Sequence, residues 1–203
     1  MPKNGDILQI PINKNMGCGF AKFLKSKEMW PNYNIPDVLR VYYYLINDSV
    51  LDIKKITDSI LLLPPLAILG SNSIKKNGWH VVGNEKINEN DFWLPYVKSK
   101  WPPFGESKEW VSMQNLGQTS TMKFCDYTFV KHLEYSRVID ITLIPFRIQL
   151  EYAKLLKKDF KNEYGKFSWL EELEYNQSYD IPPFVLQDNK IKGIPSCPPL
   201  AQE

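Results

Sequence analysis

The first half of the chain alternates apolar and polar positions in the way that β-strands do. Residues 7–12 alternate after Gly5 and Asp6, which form a turn signal, and residues 17–24 form a second run in which glycines mark a bend. Residues 37–46 (DVLRVYYYLI) are rich in β-branched and aromatic side chains and almost continuously apolar, so we predict a strand with both faces covered. Residues 7–12 and 17–24 together predict the two opening strands of a small β-barrel.

Shorter strand-like segments follow between turn signals. They lie at residues 60–70, 79–82, 110–116 and 122–129. Pro64 and Pro65 interrupt the segment at 60–70, because proline cannot donate a hydrogen bond to a sheet. The Asn-Gly pair at 77–78 predicts a hairpin turn that leads into the strand at 79–82. Residues 52–59 predict one or two helical turns, whereas residues 87–105 are irregular and rich in aromatic side chains.

Signals for longer helices begin only after residue 130. The apolar run at 138–143 predicts a further strand, and Pro145 suits the first turn of a helix that extends to about residue 160. Ser168 and Glu171 have the spacing of a capping box, which predicts a second helix over residues 169–175. From residue 176 onward the sequence is proline-rich and has no regular period.

These patterns predict an α+β protein in which many strands precede the helices. The β-rich part spans residues 1–130 and forms a strongly curved antiparallel sheet or a small SH3-like barrel. A strand and helices occupy residues 131–175, and a proline-rich tail occupies residues 176–203. A length of 203 residues fits a single domain.

Composition and charge narrow the class of protein. The chain is 43% hydrophobic and 24% charged, with a net charge of +2 that is weaker than a dedicated nucleic-acid binder usually carries. No apolar run has the length of a membrane span or the setting of a secretion signal. Cys18, Cys125 and Cys197 are widely spaced, and His80 and His132 lack metal-ligand motifs. We therefore expect a cytoplasmic protein without a metal or another cofactor.

Candidate groups for nucleophilic catalysis lie close together at one point of the sequence. Cys125, His132 and either Asp126 or Glu134 are the residue types of a cysteine-hydrolase triad. In a strand, however, Cys125 and Asp126 point to opposite faces. A hydrolase remains an alternative, but we expect that the protein is not an enzyme.

Asp140 is the acidic residue that the pattern places inside an apolar run (VIDITLI). A buried carboxylate needs a partner or a raised pKa. We predict that Arg137 or Arg147 supplies that partner, or that Asp140 lies on an exposed strand face. A catalytic role for Asp140 is the third possibility.

Two patterns point to binding. Lysines alternate with aromatic residues at 22–25 and 98–101, as in small barrels that bind single-stranded nucleic acid, which is a second alternative. A stretch stiffened by Pro102 and Pro103 carries aromatic side chains of the kind that dominate protein interfaces. These candidate partner-binding residues are Trp93, Tyr96, Trp101, Phe104 and Trp110. They could equally cover the open end of a barrel.

Four short motifs give the chain a family likeness. GDILQIPI at 5–12, GCGFAK at 17–22, GWHVVGN at 78–84 and LPY at 94–96 resemble the twenty-sixth numbered family of bacterial polymorphic-toxin immunity proteins. The resemblance covers roughly the first half of the chain and fades after Trp110. It implies a cytoplasmic protein that binds a toxin encoded beside it and neutralises it by occlusion. The family contributes no catalytic motif, so no residue role is transferred.

Overall fold

The protein has two β-sheets followed by helices, as seen in a computed structural model that describes residues 1–12, 17–46, 51–101, 109–114 and 121–186. Its strands are β1 (Asp6–Pro11), β2 (Cys18–Leu24), β3 (Val38–Ile46), β4 (Leu66–Leu69), β5 (His80–Asn84), β6 (Val97–Trp101), β7 (Glu109–Met113), β8 (Lys123–Cys125), β9 (Glu134–Tyr135) and β10 (Ile139–Asp140). Its α-helices are α1 (Ser26–Met29), α2 (Ile53–Thr57), α3 (Tyr127–Val130), α4 (Ile144–Leu155), α5 (Phe160–Tyr164) and α6 (Trp169–Ser178). The predicted α+β class is confirmed.

The first sheet has six strands in the order β10-β4-β3-β2-β1-β5. The antiparallel pairs β1–β2 and β2–β3 form its centre, which agrees with the three strongest strand patterns. Its edge strands β5 and β10 each pair with one neighbour within the described part of the chain, so the sheet stays open. The SH3-like barrel is therefore not supported.

The predicted hairpin at Asn77 and Gly78 is wrong. Residues 71–77 form two short 3-10 helices, and Gly78 ends the second in a left-handed conformation (φ 75°). These turns carry the chain to the opposite edge of the sheet, where β5 pairs with β1 and not with β4. The local signal at Gly78 was right about the backbone but did not identify the pairing partner.

The second sheet has four strands in the order β8-β7-β6-β9. Strand β6 lies in the stretch that was predicted to be irregular. The strand predicted at 122–129 ends at Cys125, because the Asp126 carboxylate accepts a hydrogen bond from Thr128 N at 2.8 Å and starts α3 instead. The strand predicted at 60–70 is likewise confined to β4, after the two prolines.

Helix α4 joins the core of the first sheet to the C-terminal helices. Ile144, Ile148 and Tyr152 pack among the apolar side chains of β1, β2 and β3. Phe146 and Leu150 pack against Phe160 and the aromatic rings near it. The helix ends earlier than predicted, at Leu155, because the backbone turns left-handed two residues later.

The capping box that starts α6 is confirmed. Ser168 N donates to Glu171 Oε2 at 2.7 Å, and Glu171 N donates to Ser168 Oγ at 3.3 Å. The helix continues to Ser178, three residues beyond its predicted end. Among the helices of the described residues, none combines the length and apolarity needed to cross a bilayer.

A buried ionic cluster connects the second sheet with α4 and α6. Arg147 Nη2 lies 2.8 Å from Glu134 Oε2 of β9, and Arg147 Nη1 lies 3.2 Å from Glu174 Oε1 of α6. Arg137 Nη2 also contacts Glu174 Oε1, at 2.9 Å. Burial alone would raise the pKa of Glu134, but Arg147 and Arg137 outweigh it and hold the pKa below its usual value.

Gly5 gives a test of how closely the N-terminus packs against the segment after β5. It has φ 86°, and a Cβ atom there would lie 2.3 Å from the backbone oxygen of Glu85. We predict that Gly5→Ala lowers the free energy of unfolding by more than Gly78→Ala. Gly78 also has a positive φ, but its nearest neighbour is Pro11 Cγ at 3.8 Å, so its variant carries the conformational cost of about 1–2 kcal/mol alone. Urea unfolding measures both, and equal losses would contradict the close packing.

Candidate functional site

A cleft of about 650 Å³ with mixed polar and aromatic walls lies on the first sheet. One wall is the connection from α2 toward β4, the other is the segment that follows β5, and β3 forms the floor. The lining residues are Arg40, Tyr42, Thr57, Asp58, Ser59, Ile60, Leu61, Glu85, Asn88, Glu89, Asn90, Asp91, Trp93 and Phe184. We call this concavity the cleft.

Two cations stand side by side under the cleft. Lys22 of β2 and Arg40 of β3 are paired in register across the sheet, which would be repulsive without an anion. Lys22 is fully buried, and Asp91 is 3% exposed. Lys22 Nζ lies 2.7 Å from Asp91 Oδ2, and Arg40 Nε lies 3.6 Å from Asp91 Oδ1. The Asp91 carboxylate therefore offsets the positive charges of both Lys22 and Arg40.

The same two cations hold the wall that follows β5. Lys22 Nζ also donates to Glu85 Oε2 at 2.7 Å and to Lys86 O at 3.0 Å, and Arg40 Nη1 donates to Asn90 O at 2.6 Å. Burial lowers the pKa of Arg40 and Asp91 opposes that shift. The guanidinium nevertheless remains charged, as arginine does in proteins.

A capping box gives this wall its local shape. Residues 89–92 form a 3-10 helix in which Asn88 N donates to Asp91 Oδ2 at 2.9 Å and Asn90 N donates to Asn88 Oδ1 at 2.9 Å. Asp91 thus serves the helix and the two sheet cations at once. The wall is therefore fixed by charge and by hydrogen bonds to its backbone.

The opposite wall is attached to β3. Tyr43 N donates to Ile60 O at 2.7 Å, and Leu62 N donates to Val41 O at 2.8 Å. Burial raises the pKa of Tyr42 on the floor, which keeps its phenol neutral. Ile60 is 46% exposed at the rim, and Phe92, next to the lining on the other wall, is 50% exposed. The cleft therefore has polar walls bordered by apolar side chains.

The predicted partner-binding aromatics do not form one surface. Trp93 lines the cleft, with its ring centroid 6.5 Å from that of Phe184. Tyr96 and Trp110 pack against the cluster around Cys125. Trp101 packs around Val97 on the other face of the second sheet, and Phe104 lies outside the described residues.

The candidate catalytic groups have different surroundings. Cys125 is 6% exposed within an apolar cluster, and the Asp126 carboxylate is held by Thr128, whose backbone hydrogen bond lowers the pKa of Asp126. His132 lines a different, small cavity together with Glu134, and neither Cys125 nor Asp126 lines that cavity. At 6% exposure, the Cys125 thiol offers little access to a substrate.

The arginine partner predicted for Asp140 is wrong. Its carboxylate accepts from Thr142 N at 2.8 Å and from Thr142 Oγ1 at 2.6 Å, which caps the 3-10 helix at Ile141–Leu143. Arg137 and Arg147 bind glutamates instead. Across the parts of the chain that the structure describes, no three His, Cys, Asp or Glu side chains are grouped to hold a metal ion.

Two of the four lysines that indicated nucleic-acid binding are buried, whereas Lys25 and Lys100 are exposed. Lys22 is buried under the cleft, and Lys98 is 1% exposed, with Nζ 2.8 Å from Lys131 O and 4.6 Å from the centroid of the Tyr135 ring. Burial lowers the pKa of Lys98 to about 8. Lys100 lies over the Trp110 ring, at 5.2 Å. Of the predicted residues, Trp93 lines the cleft. Arg40 and Asp91 were not predicted, because the available signal was only a lysine on an otherwise apolar strand face.

Comparison with known proteins identifies the N-terminal half. Residues 3–102 match the family model Imm26, described as Immunity protein 26, which confirms the resemblance seen in the short motifs. The match ends just after β6 and contains all residues that line the cleft except Phe184. Comparison with curated proteins and with solved structures gives no match.

Lys22→Met tests the ionic floor of the cleft. Removal of the ammonium leaves Asp91 buried without its closest cation, so we expect a loss of about 3–5 kcal/mol in the free energy of unfolding. The matched control is Lys25→Met, which removes an exposed ion pair with Glu28 and should change stability far less. Chemical denaturation measures both, and equal midpoints for the two variants would refute the role of Lys22.

Proposed function

We propose that this protein is an immunity protein that acts in the cytoplasm, binds a cognate bacterial toxin and neutralises it by occlusion. The observation that carries the proposal is the Imm26 match over residues 3–102. The matched part includes both walls and the floor of the cleft. Such a protein works by presenting a surface, and needs no chemistry of its own.

The cleft supports the proposal because its walls are already in place. A preformed surface loses less conformational entropy on binding than a loop that must be ordered first. Trp93 is a large aromatic side chain among polar lining residues of the cleft, and tryptophan is one of the residue types that dominate interface hot spots. Together with Ile60 and Phe92, the cleft provides the centre of a standard interface of about 800 Å² per partner.

We assign the toxin contact to Trp93 among the predicted aromatics. Tyr96, Trp101 and Trp110 pack within the second sheet and its neighbours, where they serve the scaffold. The hydrolase and nucleic-acid alternatives have less support. Cys125 is buried in an apolar cluster, and two of the four lysines in the aromatic patterns, Lys22 and Lys98, are buried.

The test uses the C-terminal domain of the protein that is encoded immediately upstream. We expect one-to-one binding and rescue of growth when both proteins are expressed together. Trp93→Ala should weaken binding by about 2 kcal/mol, roughly 30-fold in Kd, as loss of an aromatic hot spot does. Isothermal titration calorimetry measures the Kd of each variant.

Two further variants make the result specific. Ile60→Ser changes an exposed side chain at the rim of the opposite wall, so it tests the second wall of the cleft without disturbing the core. Trp169→Ala removes a tryptophan that is 75% exposed on α6, outside the family match, and should leave the Kd unchanged. Failure of the unmodified protein to bind or to protect would overturn the proposed function.

A further inference from the structure

The cleft is acidic although the chain as a whole is not. The net charge of the protein is +2, yet the lining includes the carboxylates of Asp58, Glu85, Glu89 and Asp91 and a single cation, Arg40. Lys22, beneath the floor, neutralises part of this charge through Glu85 and Asp91. Four carboxylates thus face two cations.

The two remaining acids lie on opposite walls. Asp58 is exposed at the end of α2, and Glu89 is exposed in the wall that follows β5. The ion pairs between described residues at the cleft use Lys22, Arg40, Glu85 and Asp91, and include neither of these two acids. Asp58 also stands at the C-terminus of α2, where the helix carbonyls add negative potential.

The chemistry of the lining indicates the kind of occupant. Among the described residues these carboxylates do not form a group that could hold a metal ion. An arginine side chain suits this lining, because its planar guanidinium can contact both carboxylates and aromatic rings such as those of Trp93 and Tyr42.

We propose that the cleft receives a cationic segment of the toxin, with an arginine or lysine side chain held between Asp58 and Glu89. The inference rests on the proposed function and adds the chemistry of the partner to it. The toxin surface that is covered carries positive charge complementary to these carboxylates. Charge of opposite sign across an interface steers the encounter and raises the association rate.

Charge reversal in the cleft tests this inference. Asp58→Lys combined with Glu89→Lys should weaken binding of the upstream-encoded toxin domain about 100-fold. Most of the loss should lie in the association rate, and the dependence of that rate on salt should decrease or reverse. Stopped-flow or surface plasmon resonance at two salt concentrations measures both quantities. Circular dichroism confirms that the variant is folded.

The matched control has the same change of net charge. Glu163→Lys combined with Glu172→Lys reverses two exposed acids, 52% and 48% exposed at their side chains, on α5 and α6. We expect its Kd to stay within about threefold of the unmodified protein, because these charges lie beyond the toxin contact. This control separates a local effect of the cleft from a general effect of charge.

The outcomes separate the inference from the proposed function. If the unmodified protein binds and the cleft variant alone loses affinity, both are supported. If the unmodified protein binds and the cleft variant binds equally well, or if both variants lose affinity equally, the cationic occupant is refuted while the immunity function stands. If the unmodified protein does not bind, the proposed function fails and the inference fails with it.

Discussion

The salt-bridged trio of Lys22, Asp91 and Arg40 is the interaction on which the candidate site depends. Two cations in register on neighbouring strands would repel each other, and a buried cation without a partner would be costly. Asp91 solves both problems, and because it belongs to the segment after β5, its side chain also fixes that segment on the sheet. Because Asp91 belongs to the segment after β5 and not to a strand of the sheet, that segment is held above β3 as a wall of the cleft.

The half of the chain beyond the family match completes the core of the matched half. Helix α4 places Ile144 and Ile148 among the side chains of the first sheet, and β10 extends that sheet in parallel beside β4. Strand β6, at the end of the matched part, starts the second sheet, to which later strands are added. Both halves therefore contribute to a scaffold that holds the cleft walls.

The sequence predicted those elements whose signals are local. The alternation in β1 and β2, the β-branched run of β3 and the capping box of α6 were all found, because each depends on neighbouring residues. Strand β6 was missed since its sequence, VKSKW, is polar and lies between prolines; the burial of Lys98 against Tyr135 comes from tertiary packing. The predictions of a hairpin at Gly78 and of a closed barrel were wrong for the same reason. The pairing of strands depends on contacts across the whole sheet and not on neighbouring residues. The pairing of Lys22 with Asp91 spans 69 positions, so no local pattern could reveal it.

Hydrogen exchange of the backbone amides, compared between the free protein and its complex with the upstream-encoded toxin domain, tests the central claim most directly. If the preformed cleft is the contact surface, binding will slow exchange at residues 57–61 and 85–93, on both walls. Exchange slowed only in α5 and α6, with the cleft walls unchanged, would contradict the account.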